Sequence, residues 1–143
     1  MNRRRPRKVP SRPLVLIVDD HDDTRELYIE SLVAFGFEAI GAADCQQACR
    51  RAWESHPDIV VTDLSLPGGD GWQLIQDLRR QARTRDIPVV LLTAYVVPSF
   101  RERAQQEGCA AFFVKPCLPH ELAAELRHVL DRTIVHEGVR TSA

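Results

Sequence analysis

Short apolar runs alternate with longer amphipathic segments along most of the chain. Three of the runs, LVLIV, IVVT and VVLLT, are apolar almost throughout, which is typical of parallel strands covered by helices on both faces. The pattern predicts strands at Leu14–Val18, Glu38–Gly41, Ile59–Thr62, Val89–Thr93 and Ala111–Val114.

A segment with helical spacing follows each predicted strand. Asp44 and Ser99 are suitable N-caps for two of these helices. A βα unit repeated five times predicts an α/β fold with a doubly wound, five-stranded parallel sheet. The predicted helices are Asp23–Phe35, Asp44–Ser55, Gly71–Gln81, Ser99–Glu107 and Pro119–Asp131.

The length and composition indicate one globular domain. The chain has 143 residues, of which 44% are hydrophobic and 27% charged. Six basic residues and no acidic ones lie within the first twelve positions, and prolines stand at positions 6, 10 and 13. We therefore predict a basic, disordered leader over 1–12, a domain over 13–132 and a short tail over 133–143. Contact of the leader with nucleic acid or anionic lipid is the less favoured alternative.

No targeting or membrane segment is predicted. The apolar run at Leu14–Val18 is too short for a signal peptide, and no run approaches the length of a membrane-spanning helix. These features favour a cytoplasmic protein with reduced cysteines. A metal site made from Cys45, Cys49 and His56 is a weak alternative, because no second Cys/His pair completes it.

Polar residues with complementary chemistry follow four of the predicted strands. Asp19 and Asp20 follow the first strand, Asp63 the third and Lys115 the fifth, while Thr93 ends the fourth. The carboxyl ends of parallel strands share one edge, where open α/β sheets bind ligands. Clustered carboxylates repel one another and favour a hard divalent cation, for which Mg²⁺ is the best candidate. The set predicts a carboxylate that accepts a phosphoryl group.

These elements together resemble the receiver domains of two-component response regulators, including single-domain chemotaxis regulators. The matching segments span about residues 14–130 and read LVLIVDD with DDTRELY, VVTDLSLPGGDGWQLI, IPVVLLTAY and GCAAFFVKP. The resemblance implies a flavodoxin-like sheet with strand order 2-1-3-4-5. It further implies that Asp63 is the phosphoacceptor. The implied metal ligands, for Mg²⁺ or alternatively Mn²⁺, are Asp19, Asp20, Asp63 and the main-chain carbonyl of Ser65.

The same resemblance assigns roles at the last two strands. Thr93 and Lys115 are expected to bind the phosphoryl oxygens, and the bond between Lys115 and Pro116 is expected to be cis. Phe112 stands at the position of an aromatic switch. Movement of Thr93 toward the phosphoryl group would let the Phe112 ring turn inward and remodel the surface of the fourth helix, fifth strand and fifth helix. A packed aromatic that does not switch remains the alternative for Phe112.

The resemblance also implies the partners. A histidine kinase or a histidine phosphotransfer protein would donate the phosphoryl group, and a downstream protein would read the switched surface. The sequence contains no DNA-binding output domain, and a phosphorylation-linked homodimer is left open. The chain is not expected to be an enzyme beyond its own phosphorylation and slow autodephosphorylation.

Two other functions are less favoured by the residues around Asp63. A phosphohydrolase with an aspartyl nucleophile would need a general acid two residues after Asp63, where Ser65 stands. An unphosphorylated scaffold would usually lack part of the acidic and lysine set. Asp23 and Arg25 are interpreted as capping and solvating the first helix, and His21 as an exposed loop residue.

Overall fold

A computed structural model of the protein describes residues 10–94 and 97–142, with side chains described up to Arg132 within those ranges. All five predicted strands form a single parallel sheet in the order β2-β1-β3-β4-β5, so the expected strand order 2-1-3-4-5 is confirmed. The strands are β1 (Leu14–Val18), β2 (Glu38–Ala42), β3 (Ile59–Thr62), β4 (Val89–Thr93) and β5 (Ala111–Val114).

Five helices follow the strands, and all of their bounds except the end of the last helix lie within one residue of the prediction. The predicted N-cap at Asp44 is confirmed, because its carboxylate accepts a hydrogen bond from the Gln47 N–H at 2.7 Å. Ser99 precedes its helix without a side-chain cap. The helices are α1 (Asp22–Ala34), α2 (Cys45–Ser55), α3 (Gly71–Arg80), α4 (Phe100–Gln106) and α5 (Pro119–Ser142).

The last helix is longer than the sequence pattern predicts. α5 continues to Ser142, so the predicted helix end at Asp131 is wrong, while the division into a domain over 13–132 and a tail over 133–143 stays a prediction. Gly138 and several β-branched residues lower the helix propensity of this segment, which favoured an early end. However, no proline interrupts it, and each residue added to an existing helix contributes one more backbone hydrogen bond.

The sheet separates two layers of buried side chains. Val15 and Ile17 point toward α1 and α5, whereas Leu16 and Val18 point toward α2, α3 and α4. Because both faces are covered, β1 is apolar at every position although its side chains alternate. The same reasoning explains the uniformly buried β3 and β4.

One basic residue of the predicted leader contacts the end of α1. Arg12, assigned to the leader by its charge, donates hydrogen bonds to the main-chain oxygens of Phe37 at 3.1 Å and Val33 at 3.4 Å. Its guanidinium therefore binds carbonyls around the end of α1, where helix carbonyls lack intrahelical partners. The other basic residues predicted for the leader, at positions 3–8, lie outside the described residues.

A short hairpin with arms of two residues each follows β3. Its arms, Ser65–Leu66 and Gly69–Asp70, pair antiparallel, and Gly68 between them has a positive φ of 73°. Asp70 then caps α3 by accepting a hydrogen bond from the Gln73 N–H at 2.8 Å. None of the described helices is long and apolar enough to cross a membrane.

Candidate functional site

The carboxyl ends of β1, β3 and β5 bring an ammonium group against two carboxylates. Lys115 Nζ donates to Asp63 Oδ2 at 2.9 Å and lies 3.4 Å from Asp19 Oδ2. β4 separates β3 from β5, so the lysine must extend past the end of β4 to reach Asp63. A flexible four-carbon stem allows this reach. Sequence reasoning from the strand ends thus correctly brings these three side chains together.

Asp63 is held by the backbone on both sides while its carboxylate remains accessible. Its N–H donates to the Val18 carbonyl at 3.0 Å, and its Oδ1 accepts the Ser65 N–H at 3.3 Å. The Asp63 side chain is 14% exposed. Next to it, a Cβ placed on Gly71 would lie 2.8 Å from the Asp63 main-chain oxygen, so only glycine fits at this position without a backbone shift.

Asp19 is more enclosed than Asp63. The residue is 4% exposed, and its Oδ1 accepts the His21 N–H at 2.9 Å. The main-chain oxygen of Asp19 accepts a hydrogen bond from the Arg25 guanidinium at 2.7 Å. Arg25 also pairs with Asp22 at 2.6 Å. The interpretation of Arg25 as a solvating residue is therefore wrong, because it binds the main chain of a site residue.

Asp20 and His21 complete the acidic end of β1. The His21 Nδ1 atom lies 3.3 Å from Asp19 Oδ1 and 3.2 Å from Asp20 Oδ1. His21 is exposed, as predicted, and is the N-cap of α1, a role that we assigned to Asp23. Among the described residues, one group of three or more His, Cys, Asp or Glu side chains is close enough to share a metal ion. It consists of Asp19, Asp20 and His21.

The charge of Lys115 depends on two opposing effects. Burial alone would lower its pKa, but the hydrogen bond to Asp63 and the attraction of Asp63 and Asp19 outweigh burial and raise the pKa of the ammonium. Lys115 is therefore protonated at neutral pH. The Lys115–Pro116 peptide bond is cis.

Thr93 and Phe112 lie on the two last strands, where Thr93 pairs with Val114 and Phe112 pairs with Leu91. Thr93 is 2% exposed at the end of β4. Phe112, on β5, is partly buried against the α2–α4 side of the core, with its ring 4.9 Å from that of Phe100 in an edge-on arrangement. The Arg101 guanidinium lies 5.5 Å from the Phe112 ring centroid. Both neighbours of the ring belong to α4.

The cysteines take no part in this arrangement among the described residues. All four have free thiols, and no cysteine belongs to the described group of potential metal ligands. Burial raises the pKa of Cys49 and of Cys109 to about 11, which keeps both thiols protonated and poor metal ligands. The alternative of a Cys45, Cys49 and His56 metal site is therefore not supported.

An open depression of about 610 Å³ borders the carboxylates on the side of the hairpin. The depression is lined by the Asp20 carboxylate, the hairpin and the start of α3. Asp20 is exposed to solvent there. The main residues around it are Asp20, Leu64, Ser65, Pro67, Asp70 and Trp72.

Residues 15–127 match the response regulator receiver domain family. The chain belongs to this family. Receiver domains are signalling modules of two-component systems and not enzymes in the usual sense, so the phosphohydrolase alternative is not retained.

Individual relatives agree with the family. The receiver is 39% identical over 118 residues to the phosphate regulon transcriptional regulatory protein PhoB of Klebsiella pneumoniae, and this region is 82% of the chain and 52% of that protein. The chain thus spans about half the length of the curated relatives of this kind that it matches.

Solved structures confirm the fold of the receiver. Chemotaxis response regulator CheY4 of Vibrio cholerae superimposes with a TM-score of 0.77 at 27% identity, over 82% of this chain and 98% of that one. The signal receiver domain of a signal transduction histidine kinase from Syntrophus aciditrophicus gives 0.75 at 29% identity, over 83% and 90%. Similar receivers therefore occur as a chemotaxis regulator and as a domain of a kinase.

Sequence reasoning misses the contacts that three residues make at or near the site. Arg25 and Tyr28 donate hydrogen bonds to main-chain oxygens, of Asp19 and Cys117 respectively, and Trp72 packs its ring 5.4 Å from Phe100. The helical spacing of α1 indicates that Tyr28 and Leu32 share a buried face. Nothing in the sequence indicates which distant carbonyl a buried hydroxyl or guanidinium will reach.

Proposed function

We propose that this receiver accepts a phosphoryl group on Asp63 from the phosphohistidine of a histidine kinase or a histidine phosphotransfer protein. The observation that carries the proposal is the Asp63 carboxylate itself. It is partly exposed, its Oδ2 lies 2.9 Å from Lys115 Nζ, and Asp19 lies beside it. An unpaired carboxylate cluster would repel a phosphoryl group, whereas an ammonium at this distance attracts it.

The transfer needs no general acid from the receiver. An Asp63 carboxylate oxygen forms the bond to phosphorus while the phosphorus–nitrogen bond of the phosphohistidine breaks, and the bonding electron pair stays on the imidazole of the donor. Lys115 donates to a phosphoryl oxygen, and the Thr93 hydroxyl donates to another. Positioning and charge then supply most of the rate, as is general for phosphoryl transfer.

The residues at the carboxyl edge fit a Mg²⁺ ion. Asp19, Asp20 and Asp63 offer hard oxygen ligands, and the main-chain carbonyl of Ser65 is the further protein ligand that we propose. Mn²⁺ is the alternative ion for the same oxygens. When bound, the ion supplies positive charge that balances the phosphoryl oxygens. His21 offers a nitrogen ligand near Asp19 and Asp20, and Mg²⁺ disfavours nitrogen, so we leave it out of the set.

The proposed output is a change at the surface of α4, β5 and α5. Thr93 moving toward the phosphoryl group would let Phe112 adjust between Phe100 and Arg101, which are both α4 residues. A change at Phe112 then alters the α4 surface that a downstream protein contacts. Slow autodephosphorylation resets the domain. The proposed setting is the cytoplasm, and dimerisation upon phosphorylation remains an alternative form of output.

Intact mass spectrometry tests the proposal. The receiver is incubated with Mg²⁺ and a small acyl phosphate or phosphoramidate, and we expect a gain of about 80 Da, the mass of one phosphoryl group, on an aspartyl oxygen. Asp63→Asn should abolish the gain, and chelation of Mg²⁺ should suppress it. Asp77→Asn, which removes a surface carboxylate paired with Arg80, is the matched control and should retain it.

The opposite result has a clear meaning. A folded receiver that gains no mass with any donor, or an Asp63→Asn variant that gains as much as the native chain, contradicts phosphorylation at Asp63. The first of these outcomes would favour an unphosphorylated scaffold, and the second a different acceptor.

A further inference from the structure

The hydroxyl of Tyr28, a buried residue, forms a contact that the proposed chemistry does not use. Tyr28 lies on α1, is 7% exposed, and belongs to the core between the sheet, α1 and α5. Its hydroxyl donates to the main-chain oxygen of Cys117 at 2.7 Å, across 89 residues of sequence. A phenylalanine would fill the same core space, so the hydroxyl has a separate role from the ring.

The acceptor carbonyl lies in the segment that carries Lys115. This segment joins β5 to α5 and includes Pro116, which has no N–H to donate. At its start the Lys115 N–H donates to the Thr93 carbonyl at 2.8 Å. At its end the Leu118 N–H donates to Glu121 Oε1 at 3.3 Å. The Tyr28 hydroxyl binds between these two points and connects the segment to α1.

The same helix is also bound to the other side of the site. Arg25, one turn before Tyr28, donates to the main-chain oxygen of Asp19 at 2.7 Å. One helix thus contacts both segments of the site: Arg25 binds the main-chain oxygen of Asp19, and Tyr28 binds that of Cys117, two residues after Lys115. The side chains of these two segments meet at the site, where Lys115 Nζ lies 3.4 Å from Asp19 Oδ2.

We infer that Tyr28 is a positioning residue for phosphoryl transfer. Its hydroxyl holds the Cys117 carbonyl against α1 and thereby fixes the backbone from which Lys115 reaches Asp63. Lysine has a long, flexible stem, so the location of its ammonium depends on where that stem begins. The functional part of this inference rests on the proposed phosphorylation of Asp63.

The state of the phenol agrees with the role. Burial raises the pKa of Tyr28, and the neighbouring Cys117 raises it further, so the hydroxyl keeps its proton and remains a donor at neutral pH. The Cys117 oxygen is a neutral acceptor, and the bond length of 2.7 Å is usual for O–H···O.

Tyr28→Phe tests the inference, with Thr84→Val as its matched control. Thr84 lies in the segment between α3 and β4. Its buried hydroxyl also donates to a main-chain oxygen at 2.7 Å, that of Leu78 in α3. Each variant removes one hydroxyl-to-carbonyl hydrogen bond of the same length. Both should therefore lose some stability in thermal unfolding, but only Tyr28→Phe alters the segment that carries Lys115.

The main measurement is the rate of phosphorylation by a small acyl phosphate with saturating Mg²⁺. For Tyr28→Phe we expect the maximal rate to fall about fivefold or more with little change in the half-saturating donor concentration, because a misplaced group weakens the transition state more than donor binding. Thr84→Val should keep the native rate. A native rate in Tyr28→Phe, or an equal fall in both variants, would overturn the inference.

A second measurement separates this inference from the proposed function. If the native receiver takes no phosphoryl group at all, the proposed function fails, and the position of Lys115 is then decided by crystal structures of native protein and Tyr28→Phe without donor. We expect Lys115 Nζ in the variant to lie beyond about 3.5 Å from Asp63 Oδ2, outside hydrogen-bonding distance. An unchanged Lys115 contradicts the positioning role whatever the phosphorylation assay gives.

Discussion

Replacing Gly71 with alanine should disturb Asp63 through its main chain. An added Cβ would lie 2.8 Å from the Asp63 carbonyl oxygen and 3.1 Å from the Leu64 Cα. Both atoms are backbone, so neither can swing aside as the end of a side chain would. The Asp63 oxygen also accepts the Thr62 hydroxyl at 2.9 Å, and a shift of the carbonyl would strain that hydrogen bond.

The expected cost follows from two opposing effects. Forcing one extra methyl group into a packed site costs about 1–3 kcal/mol, and the better helix propensity of alanine at the start of α3 returns up to about 1 kcal/mol. The net loss of unfolding free energy therefore lies between about 0 and 3 kcal/mol, with a central value of about 1.5 kcal/mol. In a domain of this size each kcal/mol corresponds to a fall in Tm of about 4 °C.

Thermal unfolding and the phosphorylation rate together check this expectation, and Gly108→Ala is the control. Gly108 has a φ of 76° and no atom within 4 Å of an added Cβ, so alanine there costs about 1–2 kcal/mol of backbone strain without crowding. Both variants should unfold at lower temperature, but only Gly71→Ala should also phosphorylate more slowly. Native stability and native rate in Gly71→Ala would refute the steric argument.

Two further results are expected. Lys115→Met should lower the maximal rate of phosphorylation by about tenfold or more, because a charge-assisted donor to the transferring group is lost. Arg85→Met, which replaces an exposed cation, is the control and should keep the native rate. A native rate in Lys115→Met would contradict the assigned role. Stability should fall as the pH rises from about 9 to about 11, because Cys49 and Cys109 keep their protons in the folded state up to a pKa of about 11 and lose them earlier when unfolded. Unfolding of Cys49→Ala/Cys109→Ala beside the native protein checks this, and an equal pH dependence of the two would contradict it.

The sequence predicts the sheet well because burial on both faces leaves strong apolar runs. β1, β3, β4 and β5 begin and end where those runs do. The meeting of Asp63 with Lys115 is also predictable, since the carboxyl ends of parallel strands share one edge. Here a simple topological rule converts positions in the chain into a place in space.

Contacts to main-chain oxygens are not predictable in this way. Arg12, Arg25 and Tyr28 each donate to carbonyls that any residue type could supply, so the partner carries no sequence signal. The positive charge of Arg12 favours its assignment to the basic leader, and solvent exposure is the simplest interpretation of Arg25 from sequence. The continuation of α5 to Ser142 was missed because propensity is a weak guide where a helix is already formed.

The division of the core by the sheet has a consequence for how such a domain can diversify. The buried side chains of the described residues fall into two sets, one with α1 and α5 and the other with α2, α3 and α4. Substitutions in separate sets share few neighbours, so their effects on stability should be nearly additive. One set of core side chains can therefore change while the other stays as it is, with Asp63 unchanged at the edge of the sheet that borders both.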